Sequence, residues 1–155
     1  MLEVMEDPFG TITIDAITQF ESRRNLSLPD EYKRFLLTSN GGRPVPDAFD
    51  VPGWAHENSG MQAFFGVQTG NSYDLERELD VYDDRIPRDL LPIGCDSFGN
   101  IICLGIEGKR RGKIYFWDHE DELDENGLHR QDYSNVFLVA NSFGEFLDKL
   151  TTFDD

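Results

Sequence analysis

Apolar residues recur along this chain with two different periods, and the change of period divides it. Near the start, Thr13 can cap a helix that runs to Arg24, in which Ile14, Ile17 and Phe20 recur at helical spacing. Leu28-Pro29 opens a second helix. Proline is tolerated in a first helical turn, and Asp30 and Glu31 suit the positive end of the helix dipole. Tyr32, Phe35 and Leu36 give this helix a buried stripe, and Asn40-Gly41-Gly42 stops it. Residues 43–60 carry Pro44, Pro46, Pro52, Gly53 and Gly60, which predict loop and short strand, with a strand over 61–67. Ser72 can cap a short helix over 73–82, with Leu75 and Leu79 four residues apart, and Ile86-Pro87 ends that unit.

The second half reads as β structure. Strands are predicted over 90–93, 101–106, 113–118 and 136–140. Asp96-Ser97-Phe98-Gly99-Asn100 is a reversal between two of them, and 107–112 is a basic turn. A last helix begins at Ser142 with Glu145 three residues on as a capping box, and Phe143, Phe146, Leu147 and Leu150 form its apolar face. Helices at both ends around hairpin-connected strands predict an α+β fold, a central, mainly antiparallel sheet with flanking N-terminal and C-terminal helices. A single domain over 1–155, with its core from about 14 to 150, fits the length.

Composition supports a folded chain. Aromatic residues make up 12%, with 12 phenylalanines, far more than disorder tolerates. Charge changes the picture more. Lys plus Arg number 14 against 30 Asp plus Glu, a net charge of −16. Such a surface repels nucleic acid and anionic membranes and speeds encounter with a basic partner. No apolar run is long enough to span a bilayer. Residues 1–9 carry Glu3, Glu6 and Asp7 and do not read as a secretory signal. Cys95 and Cys103 flank the 96–100 turn and could face each other across it; buried thiols in a reducing compartment are the preferred reading.

Candidate chemistry is sparse. Gly108-Lys109-Arg110-Arg111-Gly112-Lys113-Ile114 is one residue short between its glycines for a phosphate loop and has Ile114 where a hydroxyl is needed. Asp118-His119-Glu120 has metal-ligand and acid–base residue types, but alternation along a strand would turn His119 away from the two acids. No catalytic residue, metal site or cofactor is assigned. The acids themselves are more informative. Six of the eight residues in 118–125 are acidic (Asp118, Glu120, Asp121, Glu122, Asp124 and Glu125), and a second cluster lies at Asp80, Asp83 and Asp84. A cationic partner would relieve the repulsion within such runs. Trp54, Phe64, Phe65, Tyr115, Phe116 and Trp117 default to the core. Trp54, in a Pro/Gly-rich loop, is the one expected to be exposed and so a binding anchor.

The order of motifs then resembles a known family. It runs through Leu28-Pro29-Asp30-Glu31-Tyr32-Lys33-Arg34-Phe35-Leu36, Asn40-Gly41-Gly42, Phe64-Phe65-Gly66, Ile86-Pro87 and Leu91-Pro92-Ile93-Gly94. It continues through Asp96-Ser97-Phe98-Gly99-Asn100-Ile101-Ile102-Cys103-Leu104 and Gly112-Lys113-Ile114-Tyr115-Phe116-Trp117-Asp118-His119-Glu120, and closes on Ala140-Asn141-Ser142-Phe143-Gly144-Glu145-Phe146-Leu147. This series resembles the SUKH superfamily, the Smi/Knr-type domain of bacterial immunity proteins and of a yeast cell-wall regulator. The resemblance implies an α+β fold and, in the bacterial branch, a cytoplasmic protein that binds and blocks a cognate toxin domain, often a nuclease. It carries no catalytic motif. The resulting expectation is an immunity-type protein with no enzymatic activity. It would bind a basic toxin through Asp118, Glu120, Asp121, Glu122, Asp124 and Glu125, with Trp54, Asp80, Asp83 and Asp84 as further candidates. A regulatory or scaffold module without a toxin partner is the alternative, and a hydrolase built on Asp118, His119 and Glu120 a third. The oligomeric state stays open.

Overall fold

Residues 1–153 are described in the computed structural model of the chain. Strand β1 (Val4–Glu6) pairs with β2 (Arg43–Val45) in a small antiparallel ribbon. Between them lie α1 (Ile14–Arg24) and α2 (Asp30–Thr38). There follow β3 (Ala48–Asp50), β4 (Asn58–Phe64), α3 (Leu75–Val81), β5 (Leu90–Asp96), β6 (Ile101–Gly105), β7 (Ile114–Trp117), β8 (Val136–Ala140) and α4 (Phe143–Lys149). Strands β3 to β8 form one six-stranded sheet in sequence order, every neighbouring pair antiparallel. The architecture is α+β, as the hydrophobic pattern predicts.

Consecutive side chains on a strand point to opposite faces, and β7 shows what covers each. Phe116 faces a continuous chain of aromatic rings: it lies 6.2 Å from Phe49, which lies 5.3 Å from Phe146 of α4. Phe146 meets Phe64 at 6.1 Å, and Phe64 meets Phe35 of α2 at 5.2 Å. Trp117, its neighbour, faces the other way and meets Tyr82 just beyond α3, edge to face at 5.6 Å. Helices α2 and α4 therefore cover one face of the sheet and α3 lies against the other. Offset and edge-to-face pairs of this kind add about 0.5–1.5 kcal/mol each beyond burial.

Local signals in the sequence account for most helix ends. Thr13 Oγ1 accepts the Ala16 N–H at 3.2 Å, and Ser142 Oγ accepts that of Glu145 at 3.0 Å. Asn40 does more than stop α2. Its side chain is buried, donating to the carbonyls of Phe9 and Val67 and accepting the Val67 N–H, so it ties three segments together.

Several expectations are corrected. Ile14 is half exposed, and the buried face of α1 is Ala16, Ile17 and Phe20 instead. Asp74, not Ser72, caps α3, its carboxylate accepting the Arg77 N–H at 3.1 Å. The strand expected over 61–67 begins at Asn58, because the short β3 recruits residues 58–60 into a hairpin. Strands β1 and β3, three residues each, are too short for an alternating pattern to register. Cys95 and Cys103 do not oppose one another: Cys95 pairs with Ile101 and Cys103 with Pro92, and both thiols are free. Among the described residues, no helix is long and apolar enough to cross a membrane.

Burial pushes the Cys95 thiol up to about 12, and it raises the Cys103 thiol and the Tyr32 phenol as well. Above the ordinary thiol range the unfolded chain loses protons that the folded chain keeps. The folded state then binds more protons, and stability falls as pH rises. Urea midpoints should hold steady between about pH 6 and 8 and fall above about pH 9, and the fall should be shallower in Cys103→Ala.

Candidate functional site

The aromatic chain on the α4 face ends at the surface, where Trp54 lies 4.5 Å from Phe116. Trp54 sits in the loop between β3 and β4. Backbone bonds close that loop, from Val51 N–H to the Glu57 carbonyl (2.7 Å) and from Glu57 N–H to the Trp54 carbonyl (3.0 Å). The ring is half buried, and His56 stands against it edge to face at 4.8 Å. The indole N–H donates to Asp118 Oδ2 at 3.1 Å, so the loop is fixed to the end of β7.

Across from Trp54 stands Phe98, at the tip of the β5–β6 reversal. It is 72% exposed, which sets it apart in a chain whose other large aromatics mostly fill the core. The reversal is held by Asp96, which is 2% exposed. One Asp96 oxygen accepts the backbone N–H groups of Phe98 (2.9 Å) and Asn100 (2.8 Å); the other accepts Ser59 Oγ and Asn100 Nδ2, both at 2.8 Å. A buried carboxylate without a cation survives only with its lone pairs filled in this way. Asn100 passes the constraint on: its Oδ1 accepts the His119 N–H at 3.1 Å and meets His119 Nδ1 at 2.7 Å. Since Asn100 Nδ2 is committed to Asp96, Oδ1 is the acceptor and Nδ1 carries the proton. His119 also packs over Gly99, where an added Cβ would stand 3.1 Å from the ring.

These segments enclose a notch of about 250 Å³. It is lined by Trp54, His56, Asn58 and Phe98 as walls, by the buried Ser59 and Asn100 as floor, and by Asp118 and the exposed Glu120 at the rim. Of the ten residues predicted from sequence, the structure brings three together here: Trp54, Asp118 and Glu120. The expectation that Asp118 and Glu120 share a strand side is corrected. The strand ends at Trp117, and His119–Asp121 form a single 3-10 turn capped by Asp118, whose Oδ1 accepts the Glu120 N–H at 3.0 Å. His119 is engaged with the Asn100 turn rather than with the two acids. Among the described residues, no group of three or more His, Cys, Asp or Glu is placed to hold a metal ion.

The other acids lie elsewhere, and most have intramolecular partners. Glu122 takes a two-pronged contact from Arg85, both bonds 3.1 Å, with His129 Nδ1 at 3.2 Å. Asp121 pairs with Arg130 at 3.3 Å. Asp124 closes its own loop by accepting the N–H groups of Asn126 and Leu128. Asp80 pairs with Arg24, and Asp84 lies 3.8 Å from Arg88. Among the described residues, Asp83 and Glu125 form no ion pair, and neither do Asp96, Asp118 and Glu120 around the notch. Sequence reasoning located the reversal at 96–100 but overlooked Phe98. A large apolar residue among Ser, Gly and Asn, at the tip of a predicted turn, was the available signal. His56 offered none, since its place depends on how the loop folds.

Asp96→Ala should lower stability by about 3 kcal/mol, because four donors lose a buried charged acceptor. Phe98→Ala should change it by no more than about 0.5 kcal/mol. Urea denaturation of the two variants checks the contrast.

Comparison with known proteins places most of the chain within a family. The family described as SMI1 / KNR4 family (SUKH-1) matches residues 11–149. A relative in Bacillus subtilis (strain 168), the SPbeta prophage-derived uncharacterized protein YokK, is 30% identical over 154 residues, spanning 89% of this chain and 74% of that protein.

Proposed function

The chain belongs to the SMI1 / KNR4 family (SUKH-1), and from that membership we propose that it is an immunity-type protein that binds a basic toxin domain and blocks it. The observation that carries the proposal is the state of the acids at the notch. Asp118 and Glu120 have no cation within ion-pair distance among the described residues, while Asp80, Asp84, Asp121 and Glu122 are held by arginines of the same chain. Uncompensated carboxylates beside an exposed Phe98 and a half-buried Trp54 combine electrostatic attraction with an aromatic anchor, the combination that concentrates binding energy at protein interfaces.

The mechanism is occlusion. Carboxylates occupy the positions that substrate phosphates would take in a cationic cleft, and the aromatic side chains exclude water around them. Asp118, Glu120, Trp54 and Phe98 form the centre of this surface. Asp121, Glu122, Asp124 and Glu125, with Asp80, Asp83 and Asp84, form an acidic surround whose role is long-range steering. The reading requires no enzymatic step and no cofactor, and it places the protein in the cytoplasm with its toxin.

The test is to co-express the chain with the product of the neighbouring gene, isolate the complex and measure that product's activity with and without the chain. Glu120→Gln and Phe98→Ala should each raise the dissociation rate about tenfold. Asp83→Asn and Glu125→Gln should mainly slow association, and association with the unaltered chain should slow steeply as salt is added. A neighbouring product that neither binds nor loses activity would sink the toxin reading and favour a regulatory module.

A further inference from the structure

We propose that the notch between Trp54 and Phe98 is a receptor for one arginine side chain of the protein partner. The inference rests on the reading above that this surface meets a cationic protein, and it specifies what enters. Size comes first. A site for a drug-sized ligand has about 300–1,000 Å³, and this one has about 250 Å³, room for one long side chain rather than a cofactor or a nucleotide.

The walls favour a flat cation. Trp54 and Phe98 line the notch from different segments, and His56 adds a third ring. The faces of Trp and Phe rings attract a cation, and a planar guanidinium stacks on them better than a compact, strongly hydrated ammonium does. The rim supplies the acceptors. Asp118 Oδ1 and Oδ2 each accept one hydrogen bond from within the chain, from Glu120 N–H and the Trp54 indole. Each oxygen keeps a second lone pair, and the Glu120 side chain is exposed beside them. A forked donor with five N–H groups matches two neighbouring carboxylates better than a point charge does.

The floor adds to the field. Ser59 and Asn100 line the notch, and both hydrogen-bond to the buried Asp96 carboxylate at 2.8 Å. Two carboxylates thus line one small volume and a third lies behind its floor, with no Lys or Arg in ion-pair contact with them among the described residues. Asp96 also fixes the reversal that presents Phe98, so the walls are in place before the ligand arrives.

The test uses the full chain and a blocked Gly-Arg-Gly tripeptide, with its neutral citrulline counterpart and its lysine counterpart as comparisons. Magnetic resonance follows the indole N–H of Trp54, with buried Trp117 as internal reference. The arginine peptide should shift the Trp54 signal saturably, and the citrulline peptide should not. Lysine in place of arginine, or Phe98→Ala in the protein, should weaken binding about two- to five-fold. Glu120→Gln should weaken it as well, with thermal melts showing that both variants are folded. An equal shift with citrulline overturns the proposal. So does a response confined to the amides of residues 121–130. The peptide arm is independent of the neighbouring gene product. Peptide binding without complex formation would therefore sink the toxin reading alone, and complex formation without peptide binding would sink the arginine receptor alone.

Discussion

A buried carboxylate with no cation beside it can exist only if hydrogen bonds replace the water it has lost. Asp96 is in that position, and the need to satisfy it organises everything around the notch. Its four donors come from β4 (Ser59), from the tip of the β5–β6 reversal (Phe98) and from the far side of that reversal, where Asn100 gives two. Through Asn100 the same network reaches His119 at the start of the acidic segment. Three pieces of chain that are distant in sequence are held in one arrangement by one side chain. The rigid sheet beneath supplies the platform, and Asp96 sets what stands on it.

The acidic composition gains meaning from this arrangement. A chain with a net charge of −16 has few cations to spend, and it spends its arginines on structure. Arg23 and Arg24 bind α1 to α3 through Glu76 and Asp80. Arg85 and Arg130 hold the acidic segment through Glu122 and Asp121, and Arg110 pairs with Asp89. The exposed members of this set contribute little energy individually. Their effect on the potential is larger: where an arginine is pinned, the local field is reduced, and where none reaches, it is unopposed. The notch is of the second kind. An acidic run that looks uniform in sequence is in fact differentiated, with part of it folding the loop and part of it facing outward.

Burial of aromatic rings links this surface to the fold. The chain of contacts from α2 through Phe64, Phe146, Phe49 and Phe116 ends on Trp54. Trp54 is therefore both the last ring of the core and a wall of the surface notch, and its indole N–H bond to Asp118 keeps it there. Rigid placement of this sort lowers the ordering cost of association.

The sequence by itself determined the α+β class, three of the four helices with their caps or stops, the hairpin reversal at 96–100 and the presence of an acidic segment after β7. Those features rest on local physics: a side-chain oxygen three residues from an amide, apolar residues at a fixed period, glycine where the backbone must turn. Ile14 was misjudged because periodicity gives the spacing of a helical face and not which of two adjacent stripes meets the sheet. The cap of α3 was misjudged because Ser72 and Asp74 are equivalent in composition, and only the pairing of Gly66 with Asp74 selects between them. Which acids remain free could not be read in full, since two of the answers depend on an arginine tens of residues away, Arg85 for Glu122 and Arg24 for Asp80. Phe98 was likewise visible as a turn residue, yet its place opposite Trp54 required the sheet to bring residues 54, 98 and 118 together. Local interactions are written in the order of the chain; a binding surface is made by proximity in space, and only the folded sheet supplies that.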